Sequence, residues 1–267
     1  MKWNQNFIGR EEMEKNKLIK ITDKEYFAVK ALSNSGVKKI NSGTPANFNL
    51  PEVHKECFTL GRAFHTCTLE PELVKDKILF AEEGKKRTSK QIQDGYLKFK
   101  DVAEIQNWAN SLREYKLYGT NLGNIFDNCK IEMANFWDQD FDGFTVPCKQ
   151  KIDAISYKYG LIIDAKSAKD ASGKGFFKAL YTTTMYYIQA GFYRLPEEFR
   201  DFGFLFAVVE KEPPYSTATY LVDNSCMEKA YNQIYKAARI WYDCMERDEW
   251  TKQYNNEPQI LPAPKYL

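Results

Sequence analysis

The stretch GLIIDAKSA, residues 160–168, opens as an apolar strand and then places a carboxylate at Asp164 and an ammonium at Lys166. Side chains alternate along a strand, so Ile162, Asp164 and Lys166 share one face. Just upstream, GFTVPCKQKIDAISY (143–157) is a second strand-like run. The two are joined by YKYG (157–160), whose glycine supplies the positive φ that such loops often need. With 157–160 as the hairpin loop, Ser156 pairs with Leu161, and counting back sets Asp153 opposite Asp164 on one face, with Cβ atoms about 4.5–5.5 Å apart. A slip of one residue would send the two aspartates to opposite faces.

Two facing carboxylates repel each other and are destabilising unless positive charge lies between them. A hard divalent cation is the natural occupant, because Mg²⁺ takes one or two carboxylate oxygens and keeps water positions open. Lys166 then has a role beside it, serving a water that attacks a phosphodiester and the negative charge that gathers in the transition state. Taken alone, a D-x-K on a strand is more often an ion pair or a solvated face. The cross-strand Asp153 is what moves the reading toward chemistry.

Around this hairpin the chain alternates elements. Residues 1–50 are polar and interrupted, with a helix start at Ser33 or Asn34 before a Gly/Pro loop, and read as an arm packed on a core formed by residues 51–267. In 52–72, apolar residues recur at 53, 57, 60, 64, 67 and 69, near helical spacing, and Pro71 sets an end at Glu70. His65 therefore sits on a helix. His54 falls near the same face and is assigned no role. Residues 84–95, GKKRTSKQIQDG, form a polar loop carrying Lys85, Lys86, Arg87 and Lys90, and an amphipathic helix follows over about 96–117. CKIEMANFWD (129–138) precedes the hairpin and completes a three-stranded meander. A long helix over about 174–194 follows; FGFLFAVVEK and STATYLV pair across EPPY, and a last helix covers about 224–249.

Lys and Arg number 38 against 36 Asp and Glu, so net charge does not announce a nucleic-acid binder, and any basic surface must be local. One such region is 149–178, with seven lysines (149, 151, 158, 166, 169, 174 and 178) against three aspartates. It suits phosphate neutralisation, though exposed lysines are also ordinary edge protection. The N-terminal segment lacks an apolar core of signal-peptide length, and FGFLFAVV (202–209) is far short of a membrane span, so a cytoplasmic protein with no membrane partner is expected. The six cysteines show no C-x-x-C pair and read as reduced thiols.

Asp153, then Asp164-Ala165-Lys166, then a helix bearing Gln189-Ala190-Gly191-Phe192-Tyr193, resembles the PD-(D/E)XK nuclease superfamily in its RecB-like branch with the Q-x-x-x-Y motif, and within it the exonuclease VIII (RecE) group of phage-type exonucleases. LGRAFHTCTLEPE (60–72) is similar to that group's histidine helix, LSNSGVKKINSGTPANF (32–48) to its S-x-S-x-L-K segment, GKKRTSK to its basic loop and KIEMANFW (130–137) to its glutamate strand. The likeness runs from about residue 25 onward. Ser167, Ala165 and Val37 depart from the usual threonine, larger apolar residue and leucine, and none removes a catalytic group.

The resemblance implies an α/β (α+β) restriction-endonuclease-like core, a central mixed sheet flanked by helices. It implies that His65, Asp153 and Asp164 hold Mg²⁺ or Mn²⁺, with the Ala165 carbonyl and Glu132 as further contacts. Lys166 would serve the water, Gln189 and Tyr193 would orient the site or touch the scissile phosphate, and Lys85, Lys86, Arg87 and Lys90 would contact DNA. It further implies hydrolysis of linear duplex DNA from a 5′ end, leaving 3′ single strands for an annealing partner, by a ring-shaped homo-oligomer. Two alternatives stand beside this. One is another RecB-like nuclease of the superfamily, of which the iron–sulfur type needs clustered cysteines that Cys226 and Cys244 do not supply. A silent DNA-binding protein of the same fold would gain nothing from facing carboxylates.

Overall fold

The computed structural model describes residues 16–50, 56–255 and 257–263. The alternating and apolar runs of the sequence become one five-stranded sheet, in spatial order the same as chain order: Lys130–Phe141, Phe144–Ser156, Leu161–Ala168, Gly203–Glu210 and Thr217–Leu221. The first three strands are an antiparallel meander. The third and fourth are parallel, joined by a helical crossover, and the last two form the hairpin expected across EPPY. The result is a mixed sheet flanked by helices, the expected fold class. Among the described residues no helix is long and apolar enough to cross a membrane, and all six cysteines are free thiols.

Two cores sandwich the sheet. On one face Ala154, Ile163, Ala165, Leu205 and Ala207 pack against the helices Glu56–Leu69 and Phe99–Glu114. On the other, Ile155, Ile162, Phe204 and Phe206 pack against Phe176, Leu180 and Ala190 of the crossover. Residues 16–50 cover the outer edge of the first strand and climb over the second: Asn16 and Ile19 donate to the carbonyls of Phe136 and Ala134, and Leu32 exchanges backbone bonds with Pro147 and Lys149. Pairing the edge strand in this way removes an exposed template for association.

Two elements differ from expectation. The helix expected over 174–194 is broken into Gly173–Lys178, a wide turn Ala179–Thr183 and Tyr186–Tyr193, with Met185 left-handed at φ 47° between them. The cause lies in three consecutive threonines. The hydroxyls of Thr183 and Thr184 donate back to the carbonyls of Lys178 and Ala179, which opens the ladder and lets the chain turn. Within the polar loop, Ser89–Gln93 is a helical turn; Thr88 caps it and Gln91 reciprocates, a T-x-x-Q box readable in the sequence.

Tyr186–Tyr193 approaches Met227–Arg247 closely, and Gly191 permits it: a Cβ there would lie 2.5 Å from the Ala230 methyl. Gly191→Ala should therefore destabilise by about 1–3 kcal/mol despite alanine's better helix propensity. The double variant Gly191→Ala/Ala230→Gly should recover most of that loss in urea unfolding. Equal stability of the single variant and wild type would show that the two helices are free to move apart.

Candidate metal centre

The expected hairpin register is observed: Ser156 faces Leu161, Ile155 faces Ile162 and Ala154 faces Ile163. The ladder stops there. Asp153 and Asp164 are one step beyond the last pair, and Asp153 Oδ2 instead accepts the backbone N–H of Ala165 at 3.1 Å. On its other side, Asp153 stands opposite Glu132, where the first ladder is also interrupted between Ile131↔Ala154 and Met133↔Ile152. Glu132 has φ 53°, in the left-handed region that a side chain like glutamate rarely adopts. This residue flips the strand. Ile131 and Met133, two positions apart, pack into opposite cores, as do their partners Ala154 and Ile152. The two aspartates are therefore not the facing ladder pair that uninterrupted alternation predicts.

Into this opening the helix Glu56–Leu69 delivers His65. Its neighbours Ala63, Phe64 and Cys67 are buried in the core, which fixes the helix's rotation and leaves the imidazole at the cleft. Nε2 lies 3.0 Å from the Ala165 carbonyl oxygen and 3.6 Å from Asp153 Oδ2, and Nδ1 lies 3.7 Å from Glu132 Oε1. Ligand atoms of His65, Glu132 and Asp153 all lie within 4.8 Å of one another. Ligands at about 2.0–2.6 Å from a shared cation are separated by distances of this order, so one imidazole, two carboxylates and a nearby carbonyl fit a divalent ion. The three open onto a cleft of about 1010 Å³ whose walls include Arg62, Thr66 and Lys151.

Asp164 does not join that trio. Its side chain is 3% exposed and is ion-paired with Lys166, and Gln189 Nε2 donates to its other oxygen. Tyr193, one turn beyond Gln189, donates its hydroxyl to the Lys151 carbonyl at 2.9 Å, tethering the strand two residues before Asp153. These two side chains orient the aspartate strands from the crossover side. Lys151 completes the arrangement, with its ammonium 2.9 Å from Glu132 Oε2 and 2.6 Å from Asp23 Oδ1.

Burial disfavours charge on every one of these groups, and their neighbours decide the outcome. For His65, burial opposes the imidazolium, but Asp153 and Glu132 outweigh it and raise its pKa to about 9. Burial lifts Asp153 to about 7, with the charge of Asp164 adding to the effect and that of His65 opposing it. Glu132 goes the other way: against burial, His65 and Lys151 hold it down at about 2. For Lys166, burial is overcome by Asp164 and then Asp153, and its ammonium is held more firmly than in water.

The basic residues are less free than their sequence suggests. Arg87 donates to the Tyr96 carbonyl and to Glu56, stapling its loop to the histidine helix, and Lys85 pairs with Glu82. Lys86 and Lys90 are exposed. In the lysine-rich region, Lys149 is buried, its ammonium donating to the carbonyls of Tyr26 and Val29. With Lys151 and Lys166 also engaged, that patch is smaller than its count of seven. Sequence reading gave Lys151 no individual role; its position two residues before Asp153 was the available signal. His54 lies outside the described residues.

The fold resembles a crystal structure of a putative exonuclease from Eubacterium rectale, with TM-score 0.56 and 14% identity over 89% of this chain and 97% of that one. A second structure, of the protein SSO0001, aligns at TM-score 0.32 and 14% identity over 75% of this chain and 84% of that one. No curated protein matches the sequence significantly. Residues 33–257 match the family described as a PDDEXK-like domain of unknown function (DUF3799), a span that holds His65, Glu132, Asp153, Asp164, Lys166 and Gln189. The chain belongs to that PDDEXK-like family.

Proposed function

We propose that the protein is a metal-dependent nuclease that hydrolyses DNA phosphodiester bonds. The observation that carries this is the convergence of His65, Glu132 and Asp153 beside the Asp164–Lys166 pair, on a strand and helix frame belonging to a nuclease-like family. His65, Asp153 and Glu132 would hold the ion, with the Ala165 carbonyl at its edge and Asp164 close by. When bound, Mg²⁺ or Mn²⁺ supplies Lewis-acid charge at the phosphoryl group and makes water more acidic. Lys166, already fixed by Asp164, orients water and offsets charge that builds on the phosphoryl oxygens. Gln189 holds Asp164, and Tyr193 holds the strand of Asp153.

Within this reading the protein is a RecE-like exonuclease that degrades linear duplex DNA from the 5′ end and leaves 3′ tails for an annealing protein. Its support is the Asp153…Asp164-Ala165-Lys166…Gln189…Tyr193 pattern and the likeness to the crystal structure of a putative exonuclease. Work in the cytoplasm, a ring-shaped homo-oligomer and DNA contacts from Lys86 and Lys90 belong to the same proposal. So does the division into an arm, residues 1–50, on a nuclease domain, residues 51–267, although the family match already begins at residue 33.

Digestion of linear duplexes labelled at either end, with Mg²⁺, with Mn²⁺ or with EDTA and a closed circular control, tests it. Mg²⁺-dependent loss from the 5′ end with the circle spared is expected; cutting of the circle would mean an endonuclease, and no cleavage with either metal would refute the enzyme. Lys166→Ala should lower kcat at least about a hundredfold. Substantial Mg²⁺-dependent activity in that variant would remove Lys166 from the mechanism.

Metal binding without DNA can be followed by calorimetry. Mn²⁺ should bind more tightly than Mg²⁺, because a nitrogen donor suits the oxygen-seeking Mg²⁺ poorly, and Asp153→Asn should weaken Mn²⁺ by about tenfold or more. Binding requires Asp153 ionised and His65 neutral. With their pKa values raised to about 7 and about 9, affinity should climb as pH rises through that interval, with protons released on binding. An affinity flat from pH 6 to 9 would show that these two groups are not the ligands.

A further inference from the structure

Lys38 lies on the helix Asn34–Ser42, half-buried, with its ammonium 5.1 Å from the centroid of the Tyr186 ring. Lys166 places its own ammonium 5.3 Å from the same centroid. The two cations thus share one aromatic ring, at the start of the helix that carries Gln189. Their carboxylate supply is unequal. Asp164 is committed to Lys166 and Gln189, whereas Lys38 has no hydrogen bond and no ion pair among the described residues. Other lysines of this region drawn in from solvent do have such partners: Lys149 has two carbonyls, and Lys151 has Asp23 and Glu132.

A half-buried ammonium with only an aromatic face for company, placed near a second cation, is an unfavourable arrangement in the free protein. An anion arriving between or beside the two would relieve it. Burial first, and then the charge of Lys166, lower the pKa of Lys38 to about 8, with Asp164 opposing. Resting on the nuclease reading, we propose that Lys38 is a substrate-binding residue that holds the non-bridging oxygens of a DNA backbone phosphate next to the one on which Lys166 acts. Tyr186 offers both ammoniums one aromatic face, and the two would serve successive phosphates. Lys38 then contributes binding and register rather than bond cleavage.

The test uses the full chain with Lys38→Gln and Lys38→Arg, and a linear duplex as probe. Equilibrium binding in EDTA is measured by anisotropy over about 50–300 mM salt, together with Mg²⁺-dependent cleavage kinetics and thermal unfolding. Lys38→Gln should weaken binding about tenfold and make the slope of log K against log salt shallower by about one, and Lys38→Arg should restore that slope. In cleavage, KM should rise while kcat stays within about threefold. Wild-type binding with an unchanged slope in Lys38→Gln would overturn the assignment while leaving the nuclease intact. So would a shallower slope in both variants accompanied by equal losses of thermal midpoint, which would mark Lys38 as packing for Tyr186. A wild type that neither binds nor cuts DNA would instead sink the nuclease reading, and this inference with it.

Discussion

The site depends on one backbone event, the left-handed residue at Glu132. A strand that kept its alternation would send Ile131 and Met133 to the same core and would leave the Asp153 carboxylate one place in an unbroken ladder. With φ at 53°, the strand and its partner change faces together, and the ladder opens on both sides of Asp153. The freed N–H of Ala165 is then satisfied by the Asp153 side chain, and the carbonyl of the same residue is left for His65. A buried backbone group must find some partner. Here those partners are the groups proposed to bind metal, so the local cost of the break is repaid by interactions that also fix the ligands. Left-handed non-glycine backbone of this kind persists only where the surroundings over-determine it.

The electrostatics follow from the same opening. Asp153, Glu132 and Asp164 face His65, Lys151 and Lys166, so every carboxylate has a cation near it. The imidazolium occupies the role a metal would take: positive charge between Asp153 and Glu132. This explains why His65 is pushed up to about 9 although burial works against it; at Asp153 burial outweighs the imidazolium and raises the carboxyl to about 7. Paired charges are tolerated in such an interior, whereas removing one partner strands the other.

The parts legible in the sequence were those set by periodicity and loop chemistry. GLIIDAKSA and YKYG specified the hairpin and its register to the residue, because a slip would have exposed Ile162 and buried the wrong face. The spacing of Phe64 and Cys67 placed His65 on a helix whose buried side is now seen. Illegible was anything that depended on breaking a rule. No local signal marks Glu132 as left-handed; it is stabilised by Lys151 and His65, which are distant in sequence. The three threonines before Met185 were a visible warning of a helix break, but β-branched residues also occur in unbroken helices, and the direction of the turn is set by packing.

Counting charges misled for a related reason. A lysine's function is decided by where its ammonium ends, and four or more bonds of flexible stem separate that point from its place in the sequence. Lys149 ends on two carbonyls and ties residues 16–50 to the sheet; Lys151, two positions on, ends between Glu132 and Asp23 and joins that same segment to the metal centre. The two lysines share one face of the strand and both reach residues 16–50, yet one ammonium ends in the fold and the other at the site. The segment that carries Tyr26, Val29 and Asp23 is consequently more than a cover for the edge strand, since it supplies the second carboxylate that holds Lys151 against Glu132. Displacing that segment would leave Lys151 with Glu132 as its remaining carboxylate and take away the second contact that fixes the ammonium beside the opening in the ladder.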